Sequence, residues 1–136
     1  MKIFIICSKK FYNIIPEVKS ELEKLGHVIS LPNCYDDPTT EEKYRQMGQK
    51  EHAQFKAEMF RQSEQVIIEN DAVLVINAEK NGIKNYIGGA TFLEMYDAFR
   101  LGKKIFLYND IPDGILYDEI KGFDPVLING DLVKVI

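Results

Sequence analysis

The chain has 136 residues, of which 46% are hydrophobic and 28% charged, and its formal net charge is -4. This length predicts a single domain, residues 1–136, whose core can form without a metal or disulfide staple. The acidic balance excludes a broad surface for a nucleic-acid polymer, because such a surface needs clustered lysine and arginine. No apolar run approaches the roughly 20 residues of a membrane span, so we expect no membrane contact.

The two cysteines, Cys7 and Cys34, lack the spacing and the histidine partners of a zinc site. We therefore predict no metal and no cofactor. Two isolated cysteines are most simply explained by a reduced, cytoplasmic compartment. The apolar run at residues 3–7 is too short for the core of a signal peptide and is followed at once by charged residues.

The first half of the chain predicts two strands and two helical regions. Residues 3–7 form a continuous apolar run, which is typical of a central strand covered on both faces. A helix is predicted over 14–25 and a second strand over 27–31. A long helical region then spans about 40–70, and Gly48 predicts a kink or break in it.

The stretch 71–109 is the most informative part of the chain. It contains an apolar strand, a glycine-bearing loop, a helix that opens after Gly88-Gly89, and a second apolar strand. Such a strand–helix–strand unit is a parallel crossover. After a short helix over 116–121, the Asn129-Gly130 pair lies between two more apolar runs. It predicts either a tight hairpin or a loop before a last edge strand.

The alternation of strands and helices predicts an α/β fold, a doubly wound five-stranded parallel sheet with helices on both faces. The flavodoxin-like, Rossmann-like strand order 2-1-3-4-5 fits this pattern. In that order the loop after the first strand, 8–13, lies beside the loop after the third, 78–89. Ligands of such sheets bind where these two loops meet.

Glu94 is the candidate catalytic residue. It lies near the start of the helix that follows Gly88-Gly89, and its neighbours Phe92, Leu93 and Met95 are apolar. A partly desolvated carboxylate there has a raised pKa. Such a group can attack an anomeric carbon as a nucleophile. The structural alternative is a glutamate that only complements the helix dipole.

The two loops at the switch point supply the candidate binding residues. The N–H groups of Gly88-Gly89 favour a phosphate or carboxylate, although two glycines also permit a sharp entry into a helix. Aromatic side chains can stack on a base, and Lys9 or Lys10 can meet a phosphate, but packing and solvated edges are the plainer interpretations. The candidate substrate-binding residues are Ser8, Lys9, Phe11, Tyr12, Asn77, Tyr86, Gly88, Gly89 and Thr91.

Residues 71–107 resemble the nucleoside 2-deoxyribosyltransferase family and its deoxynucleoside monophosphate N-glycosidase relatives. Asp71-Ala-Val-Leu-Val matches the Asp-x-Val-x-Val strand of that family. Thr91 and Glu94 match the spacing of its Asp-x-Gly-Thr-x-x-Glu motif, and 98–105 matches its Ala-x-x-x-Gly-Lys-x-Ile strand entry. The resemblance covers the second half of the chain well and the first half in general layout.

This resemblance implies cleavage or transfer at the N-glycosidic bond of a small nucleoside or nucleotide; of the two outcomes, we expect hydrolysis rather than base exchange. Glu94 is then the nucleophile, and the aromatic residues near the first strand hold the base. The resemblance also implies a homo-oligomer, for which the helical region 40–70 offers a face. The family has an aspartate at the position of Gly88 and a glycine at that of Ala90.

The missing aspartate favours an alternative, a non-catalytic nucleotide-binding or sensing domain of the same fold. A third alternative, a flavin carrier, is weaker because Ser8-Lys9-Lys10 is poor in the hydroxyl groups that hold a flavin phosphate.

Overall fold

The structure is a computed structural model that describes residues 1–136, and it contains one five-stranded, all-parallel sheet. The strand order is β2-β1-β3-β4-β5, which confirms the predicted fold class and order. The strands are β1 (Lys2–Ile6), β2 (Val28–Ser30), β3 (Ala72–Val75), β4 (Lys104–Leu107) and β5 (Val126–Leu127).

Helices connect successive strands. The α-helices are α1 (Ile15–Lys24), α2 (Thr40–Met47), α3 (Gln49–Glu69), α4 (Gly89–Arg100) and α5 (Tyr117–Gly122). A 3-10 helix over Lys9–Ile14 occupies most of the predicted first loop and leads directly into α1. None of these helices combines the length and the apolar character that a membrane crossing requires.

The strands bury side chains on both faces of the sheet, as their continuous apolar runs predict. Ile3 and Ile5 of β1 point to the face covered by α1, while Phe4 and Ile6 point to the face covered by α3, α4 and α5. All four side chains are fully buried. Since Ile6 is level with Val75 in the parallel register, β1 and β3 end together, and the loops that follow them are neighbours.

The helical region 40–70 breaks at Gly48, as predicted. Gly48 has a φ of 144° and a ψ of 168°, a conformation that side chains other than hydrogen disfavour. The preceding helix, α2, contributes no buried residue. It packs on α3, where the rings of Tyr44 and Phe55 stack with centroids 4.8 Å apart. The first helix of this pair is therefore a covering element outside the core.

The C-terminal segment follows neither of the two predicted courses. Asn129 and Gly130 both have positive φ, 48° and 76°, so the chain turns sharply after β5. It then forms a 3-10 helix over Leu132–Lys134 and buries Val135 in the core on the α1 side. Burial of Val135 beneath α1 takes the place of the hairpin or extra edge strand that the apolar run 132–136 predicts.

Candidate functional site

A cavity of about 420 Å³ opens at the carboxyl ends of β1 and β3, the switch point of the sheet. Its volume lies within the range of small-ligand sites, roughly 300–1,000 Å³. The cavity brings together eight of the predicted site residues, namely Ser8, Lys9, Tyr12, Tyr86, Gly88, Gly89, Thr91 and Glu94.

Two predicted binding residues, Phe11 and Asn77, do not line the cavity, and neither does Lys10. Phe11 is only 2% exposed and packs in the core, where its ring lies edge to face with that of Tyr86 at a centroid separation of 6.5 Å. Asn77 is fully buried; its amide donates to the Asp110 carbonyl oxygen at 2.9 Å and its own carbonyl accepts from the Asn109 N–H at 2.8 Å. Phe11 therefore supports the cavity wall through Tyr86, whereas Asn77 joins the segments that follow β3 and β4.

Glu94 lies in the second turn of α4, where its carboxylate reaches the cavity wall. Burial raises the pKa of Glu94 from 4.5 to about 7, and the Asp97 carboxylate adds to that rise. The Ser63 hydroxyl and the Lys56 ammonium lower it in part. The raised pKa that the apolar flank predicts is therefore present, and Glu94 exchanges its proton near neutral pH.

The N-terminus of α4 faces the same cavity without a side-chain cap. Gly88 occupies the N-cap position, and no side chain bonds to the first free N–H groups of the helix. These groups and the helix dipole favour an anion. A Cβ atom at Gly88 would lie 3.3 Å from the Tyr86 hydroxyl, so Tyr86 fills the space beside this glycine.

The loop after β3 presents Tyr86 and Lys80 to the cavity. The Lys80 ammonium lies 4.6 Å from the centroid of the Tyr86 ring and donates to the Ser8 hydroxyl at 3.3 Å. The Tyr86 N–H donates to the Ala78 carbonyl at 2.9 Å, which closes the loop at its base. Phe11 also packs against the Tyr86 ring, so Phe11 and Lys80 together fix the position of this ring.

A second wall comes from the loop after β2. The Tyr12 hydroxyl donates to the Asn33 carbonyl at 3.2 Å, and the Asn33 amide donates to the Ser63 hydroxyl at 2.8 Å. Burial raises the pKa of Tyr12 well above its ordinary value. Burial likewise raises the pKa of the Cys7 thiol to about 12, with Glu94 contributing. Cys7 is therefore protonated at neutral pH and is a poor nucleophile.

Glu41, on α2, is the centre of a charge cluster at the rim of the cavity. Its carboxylate lies 3.0 Å from His52, 3.3 Å from Arg45, 3.6 Å from Lys56 and 3.7 Å from Lys9. Burial alone raises the pKa of Glu41, but the hydrogen bond from His52 and the three cations lower it overall. Glu41 thus remains ionised and ties α2 to α3 and to the first loop.

The residues that the sequence did not predict come mostly from α2, α3 and the loop after β2. They are Cys7, Pro32, Asn33, Cys34, Pro38, Glu41, Phe55, Lys56, Met59, Phe60, Ser63, Lys80 and Ala90. Phe55, Met59 and Ser63 follow helical spacing, and a polar Ser63 on that stripe was the available signal.

The fold and the cavity define the class of protein: a doubly wound α/β domain with an open ligand-sized cavity at its switch point. No group of three or more His, Cys, Asp or Glu side chains is placed to hold a metal ion. Comparison of the chain with protein-family models and with curated proteins finds no match. Membership of the nucleoside 2-deoxyribosyltransferase family stays a prediction from motif spacing.

Proposed function

We propose that this protein cleaves or transfers at the N-glycosidic bond of a small nucleoside or nucleotide, with Glu94 as the nucleophile. The observation that carries the proposal is the position of Glu94: one carboxylate with a raised pKa, on the wall of a ligand-sized cavity, beside an uncapped helix N-terminus. Perturbed carboxylates in clefts are typical of catalytic sites. Tyr86 and Tyr12 supply aromatic surface for a base in the same cavity.

In the proposed reaction the ionised Glu94 carboxylate attacks the anomeric carbon of the sugar. The C–N bond breaks, its electron pair leaves with the base nitrogen, and a glycosyl ester of Glu94 forms. Water then displaces the ester in hydrolysis, whereas a second base displaces it in transfer. Of the two outcomes, we favour hydrolysis. Because attack needs the ionised form, kcat/KM should rise with pH until it levels above about 7.

The test is a paired assay of the wild type and Glu94→Gln on ribo- and deoxyribonucleosides and their 5′-monophosphates, with free base followed by chromatography. We expect base release to fall by roughly 10³-fold or more in Glu94→Gln. Glu79→Gln is the matched control, since Glu79 is an exposed glutamate that does not line the cavity. Base release that survives in a folded Glu94→Gln would falsify the nucleophile assignment.

A second candidate function is a non-catalytic nucleotide-binding or sensing domain. The observation that favours it is at Gly88, where the family motif has an aspartate and where the Tyr86 hydroxyl now fills the adjacent space. Loss of an acid that orients the substrate lowers the rate of glycosyl transfer. Thermal-shift binding of a nucleotide by the wild type, without any release of base, would support this candidate over the enzyme.

We also propose that the chain forms a homo-oligomer in the cytoplasm. Exposed aromatic side chains on α3 and α4 support the oligomer: Phe60 is 39% exposed, Tyr96 46% and Phe99 50%. The two free cysteines, Cys7 and Cys34, support a reducing compartment. Light scattering coupled to gel filtration tests the oligomer, which a mass of 15.7 kDa in solution would contradict.

A further inference from the structure

The three lysines that line the cavity differ in their partners. Lys9 and Lys56 both form ion pairs with Glu41, at 3.7 and 3.6 Å. Lys80 forms no ion pair with any carboxylate; its neighbours are the neutral Ser8 hydroxyl at 3.3 Å and the Tyr86 ring at 4.6 Å. The positive charge of Lys80 is therefore left uncompensated by the protein, on a partly buried side chain that faces the cavity.

The loop that carries Lys80 is held in one conformation by its own hydrogen bonds. The Lys80 N–H donates to the Ile83 carbonyl at 3.0 Å, and the Ile83 N–H donates back to Lys80 at 2.9 Å. Asn81 and Gly82, with φ of 50° and 80°, form the tight turn between them. Because the backbone at Lys80 is fixed before any ligand arrives, binding costs little backbone entropy at this position.

Ser8 completes a pair of donors with Lys80. Its hydroxyl oxygen accepts from the Lys80 ammonium at 3.3 Å and from the Lys10 N–H at 3.4 Å. The hydroxyl hydrogen is then free to donate to a ligand, since Ser8 also lines the cavity. An ammonium and a hydroxyl side by side match an anion with several acceptor oxygens, which describes a phosphomonoester.

No ion pair joins Lys80 to Glu94, although both side chains line the cavity; the neighbours of the Lys80 ammonium are Ser8 and Tyr86. Of the lysines that line the cavity, Lys56 is the one that lowers the pKa of Glu94. Lys80 is thus available for a group away from the reacting carbon. A nucleoside 5′-monophosphate has this layout, because its anomeric carbon and its phosphate lie on different sides of the sugar.

We propose that Lys80, together with Ser8, determines specificity for a phosphomonoester, so that the cavity takes nucleoside 5′-monophosphates in preference to nucleosides. The nucleoside part of this ligand rests on the proposed function, whereas the phosphate preference rests on Lys80 and its surroundings.

The experiment compares matched pairs of nucleosides and 5′-monophosphates, in the ribo and deoxyribo series, by isothermal titration calorimetry. Glu94→Gln is the background, so that no ligand is consumed. To it are added Lys80→Met, Lys80→Arg and, as a matched control, Lys84→Met. Lys84 is an exposed lysine of the same loop that does not line the cavity.

We expect at least one monophosphate to bind about 10- to 100-fold more tightly than its nucleoside, as a charged hydrogen bond predicts. Lys80→Met should abolish this preference for the monophosphate and leave nucleoside affinity nearly unchanged. Lys80→Arg should retain most of the preference, and Lys84→Met should retain all of it. Equal affinities within every pair, no binding of any monophosphate, or a preference that survives Lys80→Met would overturn the proposal. So would an equal loss of both ligands in Lys80→Met, which would indicate displacement of Tyr86.

Base release by the wild type, measured in parallel, separates the two proposals. Release from nucleosides and monophosphates alike, without a phosphate preference in binding, upholds the glycosidic function and overturns the role of Lys80. Binding that prefers monophosphates, with no release of base, upholds the role of Lys80 and overturns the glycosidic function.

Discussion

The Ser63 hydroxyl on α3 faces the Glu94 carboxylate on α4, across the contact between the two helices. Burial raises the pKa of Glu94 to about 7, and Ser63 is the strongest of the groups that oppose this rise. Ser63 is itself held in place, because its oxygen accepts a hydrogen bond from the Asn33 amide at 2.8 Å. A serine on one helix thus adjusts the acidity of a glutamate on the next.

Ser63→Ala should raise the pKa of Glu94 further above about 7, because the variant removes the hydroxyl that lowers this pKa. The carboxyl ¹³C chemical shift of Glu94, followed through a pH titration, measures the change. Gln62→Ala is the control, since Gln62 is the exposed neighbour of Ser63. A titration midpoint that stays in place in Ser63→Ala would show that the hydroxyl does not act on Glu94.

Glu94 should make the protein less stable as the pH rises. Its pKa is about 7 in the folded state and 4.5 as an unperturbed group, so between these values the folded state binds more protons than the unfolded state. The free energy of unfolding therefore falls through this window, by about 3 kcal/mol in total. The stabilising contribution of Glu94 to the free energy of unfolding is fully present below pH 4.5 and is lost as the pH rises through about 7.

Urea unfolding at several pH values between 4.5 and 8 checks this prediction. Relative to wild type, Glu94→Gln should gain stability progressively toward pH 8, because glutamine has no proton to lose. Glu58→Gln, at an exposed glutamate of α3, is the control and should leave the slope unchanged. Parallel curves for wild type and Glu94→Gln would contradict the raised pKa.

Asn77→Ala should destabilise the fold by about 2–4 kcal/mol. The substitution leaves the Asn109 N–H and the Asp110 carbonyl without their partners in a buried place, and each unsatisfied group costs about 1–3 kcal/mol. The denaturant midpoint is the measurement. Asn13→Ala, at an exposed asparagine that makes no side-chain hydrogen bond, should change the midpoint little. A comparable loss of stability in both variants would show that the buried hydrogen bonds of Asn77 do not stabilise the fold specifically.

The sheet was predictable because its strands carry their own signal. Continuous apolar runs such as those around Ile5 and Leu74 predict strands that bury side chains on both faces of the sheet. The alternation of these strands with helices along the chain predicts a parallel, doubly wound sheet, which the structure has. The end of the chain was less predictable. An apolar run at 132–136 is equally compatible with a strand and with the burial of one residue, Val135, and only packing against α1 decides between them.

The site was predictable where it follows strand ends and unpredictable where it depends on long-range packing. Glu94, Tyr86 and Ser8 lie in segments that the strand order alone brings together. Ser63 and Glu41 reach the cavity because α3 crosses the sheet beside α4 and α2 folds back on α3. The helical spacing of Ser63 indicates its face of α3, but no local pattern specifies which element that face meets or that α2 folds back on α3.

Gly88→Ala should weaken ligand binding more than Gly89→Ala. A Cβ atom at Gly88 would stand 3.3 Å from the Tyr86 hydroxyl, so the Tyr86 ring must shift by a few tenths of an ångström, whereas a Cβ atom at Gly89 meets nothing within 4 Å. Both positions have an ordinary negative or helical backbone, and we expect similar stability for the two variants. Calorimetric affinities for the best-binding monophosphate measure the difference. Equal affinities would mean that the placement of Tyr86 does not matter.

Glu41→Gln should increase the local opening of α2 while leaving global stability nearly unchanged. The variant loses the ion pairs with Lys9, Lys56 and Arg45, and α2, which has no buried residue, is then held mainly by its packing on α3. Hydrogen exchange of the α2 amides should become about five times faster, as a loss near 1 kcal/mol predicts.

Glu42→Gln is the matched control for this experiment, since Glu42 lies on α2 and pairs only with Arg45. Exchange that accelerates equally in both variants would mean that Glu41 has no special part in holding α2.

Every residue that lines the cavity lies between Cys7 and Glu94, and the chain after α4 contributes none. That last portion supplies β4, β5 and α5. It is joined to the end of β3 by the hydrogen bond from the Asn77 amide to the Asp110 carbonyl. The cavity lining is therefore encoded entirely before the end of α4, whereas the core draws on both parts of the chain. Substitutions at exposed positions after Leu101, such as the 95% exposed Ile115, can accumulate without changing the residues that line the cavity.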